Sequence, residues 1–189
     1  MNGSRLLLLL AAAGLHAPHA TAQPAAPQAR AIRVGESFTL ASRALGEARE
    51  INVYLPGSYA TGERRYPVVY LIDGGLDQDF LHIAGTSQLG SIWGRSQEAI
   101  VVGVATRDRR RELVGPTADA ELLRRYPTAG HSEAFRRFIR EEVMPAIERR
   151  YRTNGTDGVI GESLAGLFII ETFLRAPDMF DAYSAVSPS

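Results

Sequence analysis

The part of the chain expected to fold begins with alternating apolar and polar residues and continues with unbroken apolar runs. SFTLASRAL (37–45) and REINVYLPGSY (49–59) alternate as half-buried strands do, and the Gly-Glu-Ala between them predicts a turn. YPVVYLIDGG (66–75) and EAIVVGVATR (98–107) contain continuous apolar runs instead. Strands buried on both faces have this pattern, which indicates a parallel sheet covered by helices.

Two segments predict helices. QDFLHIAGTSQLGSIW (78–93) is long enough for one, although its glycines weaken the pattern. The segment 132–151 is the clearest helix, with Ser132 as a candidate N-cap. Pro145 lies inside this segment and predicts a bend or a break near Glu141. The apolar residues of the segment recur at spacings of three and four and form one stripe: Phe135, Phe138, Ile139, Val143, Ile147 and Tyr151.

The order of the predicted elements indicates the fold class. DGVIGES (157–163) is a further buried strand, LAGLFIIETFLRA (164–176) is a helix, and FDAYSAVSPS (180–189) begins another strand. Antiparallel-type strands come first, and an alternation of strands and helices follows. This order predicts an α/β fold with a mostly parallel sheet flanked by helices.

The amino-terminal residues have the pattern of a secretory signal peptide. Arg5 supplies a positive charge, residues 6–15 are mainly apolar, and Ala20-Thr21-Ala22 is a small-x-small cleavage site. The apolar run is too short for a membrane span, which needs roughly 20 residues. We therefore predict a signal peptide at 1–22 with cleavage after Ala22, a flexible spacer at 23–32 and one domain at 33–189. The mature protein would be secreted or periplasmic, without a membrane anchor.

Charge and cysteine content narrow the possible partners. The formal net charge is +0, so nothing in the composition indicates binding to nucleic acid or to an anionic membrane. The chain contains no cysteine. Disulfides, thiolate metal sites and lipid attachment to cysteine are therefore excluded.

A candidate for chemistry lies at Ser163, between a predicted strand and a predicted helix. A sharp turn at such a place exposes the serine Oγ above the sheet and directs the next N–H, that of Leu164, at a developing oxyanion. The residues two positions before and after the serine crowd each other in this turn, and Gly161 and Ala165 are both small. The alternative is a Gly-Ser turn without chemistry. The strand and helix around the motif favour a nucleophile.

The segment YLIDGG predicts a second donor for the same oxyanion. Asp73 ends the strand, and Gly74-Gly75 would allow a close approach of the backbone. In a hydrolase with a serine turn, the second donor comes from the loop after the third strand. A tight turn without function would have the same sequence. Its occurrence together with the serine turn, in this order, favours the functional interpretation.

Five blocks follow one another along the chain: YPVVYLIDGG, AIVVGVATRDRRRELVGPT, FRRFIREEVMPAIERRYRT, GESLAGLF and PDMFDAYSAVSPS. Taken in this order, they resemble the putative-esterase family of α/β-hydrolases. This family includes enterochelin-type siderophore esterases, esterase D-like enzymes and mycolyltransferases. The resemblance extends from about Val34 to Ser189, and the succession of the blocks is more specific than any one block.

The resemblance implies hydrolysis of a small-molecule carboxylic ester by a Ser–Asp/Glu–His triad, with no metal or cofactor. Ser163 matches the nucleophile, and the N–H groups of Leu164 and Gly75 match the oxyanion donors. Arg107 falls where related esterases have basic residues near the substrate mouth, although a solvated loop at RDRRREL (107–113) is our preferred interpretation. His82 is a further candidate for the mouth. Acyl transfer to an alcohol and a non-catalytic, hydrolase-like binding protein are the alternative functions.

The remaining triad members are not evident. No histidine follows Ser163 in the sequence. The acidic residues after it, Glu171, Asp178 and Asp181, are unsuitable because of their predicted positions on the helix and in the connection that follows it. We therefore expect a C-terminally truncated hydrolase domain that lacks its last strands and helices and has little turnover by itself. The exposed sheet edge would require a partner, for example a homodimer.

Overall fold

The computed structural model describes residues 29–189, in which six strands form one mixed sheet. Every strand predicted from the sequence is present. The predicted signal peptide, its cleavage site and most of the spacer lie outside the described residues. The strands are β1 (Glu36–Ser42), β2 (Glu47–Tyr54), β3 (Tyr66–Ile72), β4 (Ile100–Val104), β5 (Thr153–Glu162) and β6 (Ala182–Val186).

The sheet changes from antiparallel to parallel where the hydrophobic pattern changes. Its strand order is β1-β2-β4-β3-β5-β6. β1 pairs with β2 and β2 pairs with β4 in antiparallel orientation, whereas β4, β3, β5 and β6 are parallel. The continuous apolar run of β4 is completely buried, and β1 alternates between exposed and partly buried positions. The predicted α/β fold is therefore confirmed, including the place at which the strand type changes.

The helices cover both faces of the sheet. Phe80 and Ala84 of α1 pack on Leu71 and Val101 on one face. The opposite face is covered by a larger core to which the later helices contribute phenylalanines. No helix within the described residues is both long and apolar enough to cross a membrane. The helices are α1 (Phe80–Ile92), α2 (Arg109–Leu113), α3 (Ala120–Arg125), α4 (Ser132–Phe138), α5 (Met144–Arg150) and α6 (Leu164–Arg175).

The long predicted helix is interrupted, as Pro145 indicated. A π-helical turn, Ile139–Val143, separates α4 from α5, and Pro145 lies in the first turn of α5. This placement removes the requirement for the N–H that proline lacks. The N-cap prediction was wrong. Ser132 is the first residue of α4, its Oγ donates to Glu171 Oε2 (2.9 Å), and His131 at the capping position makes no side-chain cap.

The interpretation of RDRRREL as a solvated loop was also wrong. Residues 109–113 form α2, and Asp108 caps it by accepting the N–H of Arg111 (3.0 Å). Glu112 is buried and binds the buried Arg49 of β2 through both carboxylate oxygens, at 2.9 and 2.8 Å. The buried ion pair with Arg49 therefore holds α2 against β2. The partly exposed Arg111 beside it also binds Glu112, at 2.9 Å.

The outer face of α6 and the neighbouring strand β6 remain uncovered within residues 29–189. β6 pairs with β5 on one side only. Phe173 and Leu174 of α6 are 52% and 74% exposed, and Val186 of β6 is 42% exposed. The expected apolar surface beside the last strand is therefore present in the described part of the chain.

Asp157 in β5 gives the protein a predictable dependence on pH. Burial, followed by the charges of Glu148 and Asp181, raises its pKa to about 6. The protonated carboxyl of Asp157 makes its full contribution to the free energy of unfolding below the pKa of the unfolded chain, about 3.9. This contribution is lost as the pH rises through about 6, where the carboxyl of the folded protein ionises. Replacing Asp157 by asparagine is therefore expected to stabilise the protein at pH about 8 by about 1 kcal/mol, a value reduced because water screens the partly exposed group.

Urea unfolding of the unaltered protein and of D157N at pH about 4 and about 8 tests this expectation, since D157N should gain stability only at the higher pH. The same substitution at the exposed Asp77 is the matched control and should change stability equally at both pH values. An equal effect of D157N at the two pH values would contradict the prediction.

Candidate active site

Ser163 lies at the turn between β5 and α6 in an unusual backbone conformation. Its φ and ψ are 58° and −120°, a left-handed value of φ that non-glycine residues rarely adopt. Its N–H donates to the carbonyl of Val186 (2.9 Å), and its carbonyl accepts the N–H of Leu167 (3.0 Å) as the helix begins. The strain is therefore held by β6 on one side and by α6 on the other. Such strain persists where the surroundings enforce it, and it concentrates at functional sites.

Small residues make the turn possible. A Cβ on Gly161 would lie 2.8 Å from the Cβ of Ala165, a separation that real Cβ atoms do not show. Ala165 is itself completely buried. A Cβ on Gly166 would lie 2.9 Å from the carbonyl oxygen of Val186. The turn therefore needs glycine at 161 and accommodates alanine at 165, in the relationship that the sequence predicts.

The parallel arrangement brings three loops to Ser163. β3, β4 and β5 are parallel, so their carboxyl ends meet at one edge of the sheet. A cleft of about 340 Å³ lies there, in the region where an α/β sheet binds its ligands. Its lining residues come from the ends of these strands, from the loops after them and from α2: Asp73, Gln78, Asp79, Arg109, Glu162 and Ser163.

The two predicted oxyanion donors differ in their surroundings. Leu164 is the first residue of α6, where an N–H has no acceptor within the helix. The N–H of Gly75 donates to Gln78 Oε1 at 2.9 Å. Gly74 is required for the approach of β3 to β4, because a Cβ there would lie 2.2 Å from the Cα of Gly103. Gly74 thus allows the close backbone contact with Gly103, and the N–H of Gly75 is hydrogen-bonded to a side chain of its own loop.

Asp73 is a structural centre that the sequence did not reveal. Its φ is 61°, and its carboxylate is almost completely buried. One carboxylate oxygen accepts the hydroxyl of Thr106, and the other accepts Nε of Arg109 (2.8 Å). Asp73 therefore joins the loop after β3 to the loop after β4. A sequence signal was present, because an acidic residue that directly follows a mostly buried strand needs partners.

Of the basic residues in 107–113, Arg109 faces the cleft. Arg107, the residue predicted for the substrate mouth, instead pairs with Glu47 at 2.9 Å and is not part of the cleft wall. The guanidinium of Arg109 is 45% exposed and binds Asp73 (2.8 Å). The two arginines differ in position because Arg109 is the first residue of α2, whereas Arg107 lies before the capping residue Asp108 in the loop after β4.

No histidine lines the cleft within the described part of the chain. Ser163 Oγ lies 3.2 Å from the hydroxyl oxygen of Ser189. His82, the other predicted mouth residue, is an exposed residue of α1 and does not line the cleft. His131 precedes α4, where its N–H donates to the carbonyl of Arg111. Among residues 29–189, the serine is therefore not accompanied by a histidine base.

The acidic residues after Ser163 have other partners. Glu171 binds Arg175 at 2.8 Å on α6, in addition to Ser132. Asp178 binds Arg140 at 2.6 Å, and Asp181 accepts the N–H of Asp157 at 2.8 Å. These carboxylates do not line the cleft beside Ser163. Their geometry agrees with the expectation that they do not orient a catalytic base.

Comparison with curated proteins identifies relatives that are named as siderophore esterases. The chain is 35% identical over 144 residues to "Ferri-bacillibactin esterase BesA" of Bacillus subtilis. The aligned region covers 66% of this chain and 48% of the relative. It is 27% identical over 146 residues to "Siderophore triacetylfusarinine C esterase" of Aspergillus fumigatus, covering 68% and 46%. The chain therefore spans about half the length of these relatives.

Solved structures give the same fold. An IroE-like serine hydrolase from Shewanella oneidensis superposes with a TM-score of 0.71 at 32% identity, covering 82% of this chain and 51% of that one. Siderophore hydrolase EstB from Aspergillus nidulans gives a TM-score of 0.71 at 26% identity, covering 87% and 59%. The α/β-hydrolase fold is therefore shown. The family model described as "Putative esterase" matches residues 42–189, and the chain belongs to this family.

Proposed function

We propose that the protein is a serine esterase in which Ser163 is the nucleophile. The observation that carries this proposal is the left-handed conformation of Ser163 at the carboxyl edge of the sheet. This conformation directs the serine toward a cleft that it shares with the loop after β3. A turn without chemistry has no need of a strained serine, because asparagine or glycine adopts positive φ at lower cost.

The proposed reaction proceeds through an acyl-enzyme. Ser163 Oγ attacks the ester carbonyl as its proton passes to a base, and the carbonyl oxygen becomes an oxyanion. The N–H groups of Leu164 and Gly75 are the proposed donors to that oxyanion, and each must point at the place where its charge develops. The intermediate collapses as the base gives its proton to the departing alkoxide, which leaves as the alcohol. Water then attacks the acyl-enzyme while the base takes one of its protons, and the acid leaves as that proton returns to Ser163 Oγ.

The histidine base and the acid that orients it are proposed to be residues other than those that line the cleft with Ser163 in the described part of the chain. Two observations support this. The histidines among the described residues do not line the cleft, and the chain spans about half the length of its curated relatives. A serine hydroxyl without a base is a weak nucleophile. We therefore propose that substantial turnover needs a base other than the histidines described within residues 29–189.

The substrate class is proposed to be a siderophore ester. The support comes from the names of two curated relatives and of one solved structure. The cleft offers Arg109 for a negatively charged or phenolic group, whereas Arg107 and His82 are candidates for contacts farther from the serine. Export through the predicted signal peptide is part of the same proposal, since it would place the enzyme outside the cytoplasm.

Labelling with a fluorophosphonate tests the proposed nucleophile. The protein expressed from its complete reading frame should gain one phosphonyl group, and peptide mapping should place it on the peptide that contains Ser163. S163A should gain none, and S91A, which alters a partly exposed serine of α1, should be labelled like the unaltered protein. Absence of labelling, or labelling of S163A to the same extent, would refute the assignment.

A further inference from the structure

The side chain of Gln78 connects the two loops that border the cleft. Its Oε1 accepts the N–H groups of Gly75 (2.9 Å) and Thr106 (3.3 Å). Its Nε2 donates to the carbonyl (3.2 Å) and to the hydroxyl (2.9 Å) of Thr106. The orientation of the carboxamide is determined by these partners, because a flipped amide would direct its NH₂ at two N–H donors. Gln78 is thus held in one position.

The hydroxyl of Thr106 is itself held in place. It donates its proton to the buried carboxylate of Asp73, so its lone pairs are free to accept from Gln78. Asp73 is in turn bound by Arg109. A continuous series of hydrogen bonds therefore leads from the arginine in the cleft wall to the amide of Gly75. Networks of this kind fix their members more firmly than isolated bonds do.

This arrangement engages the Gly75 N–H before any ester is bound. An N–H donates one strong hydrogen bond, so an oxyanion and Gln78 Oε1 compete for it. The approach depends on glycine, because a Cβ at position 75 would lie 2.8 Å from Gln78 Oε1. Gln78 is partly exposed and lines the cleft together with Ser163. Its side chain can therefore move away without unfolding of the core.

We propose that Gln78 is a positioning residue that holds the Gly75 N–H in the resting site and yields it to the carbonyl oxygen of the ester. The amide oxygen occupies the acceptor position that the substrate oxygen takes over as its negative charge develops. This inference rests on the proposed function, since it needs the Gly75 N–H as a donor to the oxyanion. It adds a residue that sets when that donor becomes available.

Two substitutions at Gln78 distinguish competition for the Gly75 N–H from structural support of the two loops. Q78A removes the acceptor and all bonds to Thr106, whereas Q78E keeps the shape and the acceptor but replaces the NH₂ group. A carboxylate accepts more strongly than an amide oxygen. Q78E should therefore hold the Gly75 N–H more firmly than glutamine does. Both variants lose the two bonds that Nε2 donates to Thr106, so they differ in the acceptor alone. If competition matters, Q78E impairs hydrolysis more than Q78A and slows exchange at the Gly75 N–H, whereas a purely structural role of the bonds to Thr106 speeds that exchange in both variants.

The first measurement is amide hydrogen exchange in the ¹⁵N-labelled protein. Exchange at Gly75 should become about fivefold faster in Q78A and return to the unaltered rate or below it in Q78E. Gly74, whose N–H donates to the carbonyl of Val104 (3.0 Å), is the internal control and should not change. Q88A, in the exposed part of α1, is the matched control substitution and should leave both amides unchanged.

The second measurement is kcat/KM for a p-nitrophenyl ester, with the protein expressed from its complete reading frame. We expect a decrease on the order of tenfold for Q78E and a change below about threefold for Q78A. A larger loss in Q78A than in Q78E would overturn the proposal. So would unchanged exchange at Gly75 in Q78A, or equal acceleration at Gly74 and Gly75.

The failure of the proposed function would have a different signature. Suppose that exchange at Gly75 changes in Q78A and Q78E as expected but the unaltered protein does not hydrolyse the ester. This result would confirm the hydrogen bond between Gln78 and Gly75. It would overturn both the esterase assignment and the catalytic role of this contact. Hydrolysis that depends on Ser163, combined with the wrong order of Q78A and Q78E, would overturn only the inference about Gln78.

Discussion

Replacing Ser163 by alanine is expected to lower kcat for ester hydrolysis by at least about 10⁴-fold, to the background rate. The variant keeps the cleft and the oxyanion donors but loses the oxygen that forms the acyl-enzyme. Binding should be less affected, because the missing atom forms its strongest interactions only in the transition state. The measurement is p-nitrophenyl ester hydrolysis by the protein expressed from its complete reading frame.

The control for this experiment must exclude unfolding of the turn. Ser163 has a φ of 58°, and alanine has no side-chain hydrogen bond to support that conformation. S163A should therefore be compared with the unaltered protein by circular dichroism and urea unfolding. S91A is the matched serine substitution at a partly exposed position of α1 and should retain the full rate. Retention of the rate in a folded S163A would exclude Ser163 as the nucleophile.

Replacing Glu112 by alanine is expected to lower the free energy of unfolding by about 3–5 kcal/mol. Arg49 and Glu112 are each 1% exposed and form a bidentate pair at 2.9 and 2.8 Å. Burial alone would lower the pKa of Arg49, but the hydrogen bonds and charge of Glu112 raise it above its usual value. E112A would leave the arginine charged in the core without its main partner. Urea unfolding measures the loss.

Two further variants separate the buried pair from surface charges. R107A removes an exposed partner of Glu47 and should change stability by less than about 1 kcal/mol. The double variant R49M/E112L replaces both buried charges with apolar side chains and should recover most of the loss of E112A. An E112A variant as stable as R107A would contradict the prediction. Because Glu112 lies in α2 with Arg109, its loss should also disturb the cleft wall.

The strands could be predicted because their hydrophobic patterns report burial directly. β4 is buried at every position, and its sequence is a continuous apolar run. The break of the long helix was equally predictable, because proline lacks an N–H wherever it occurs. The turn at Ser163 followed from the small residues at 161 and 165, whose close contact needs only local geometry. Each of these features depends on residues that are near one another in the chain.

The errors have a common cause, because each involves partners that are distant in sequence. Ser132 has the composition of an N-cap, but Glu171, 39 residues away, takes its hydroxyl. RDRRREL is charged enough for a solvated loop, but Arg49 buries its glutamate. Which of its arginines faces the cleft depended on the direction of α2. A single sequence contains no direct signal for such pairings.

The sequence by itself determined the α/β class, the order of the strands along the chain and the small, strained turn that presents Ser163. These features follow from the periodicity of hydrophobic residues and from the small residues around Ser163, both of which can be read directly in the sequence. Only the tertiary structure decided what surrounds the serine. It brought Asp73, Gln78, Thr106 and Arg109 to one edge of the sheet and bonded the Gly75 N–H to Gln78. The physical reason is that parallel strands align their carboxyl ends, so loops far apart in the chain become neighbours whose hydrogen bonds must satisfy one another.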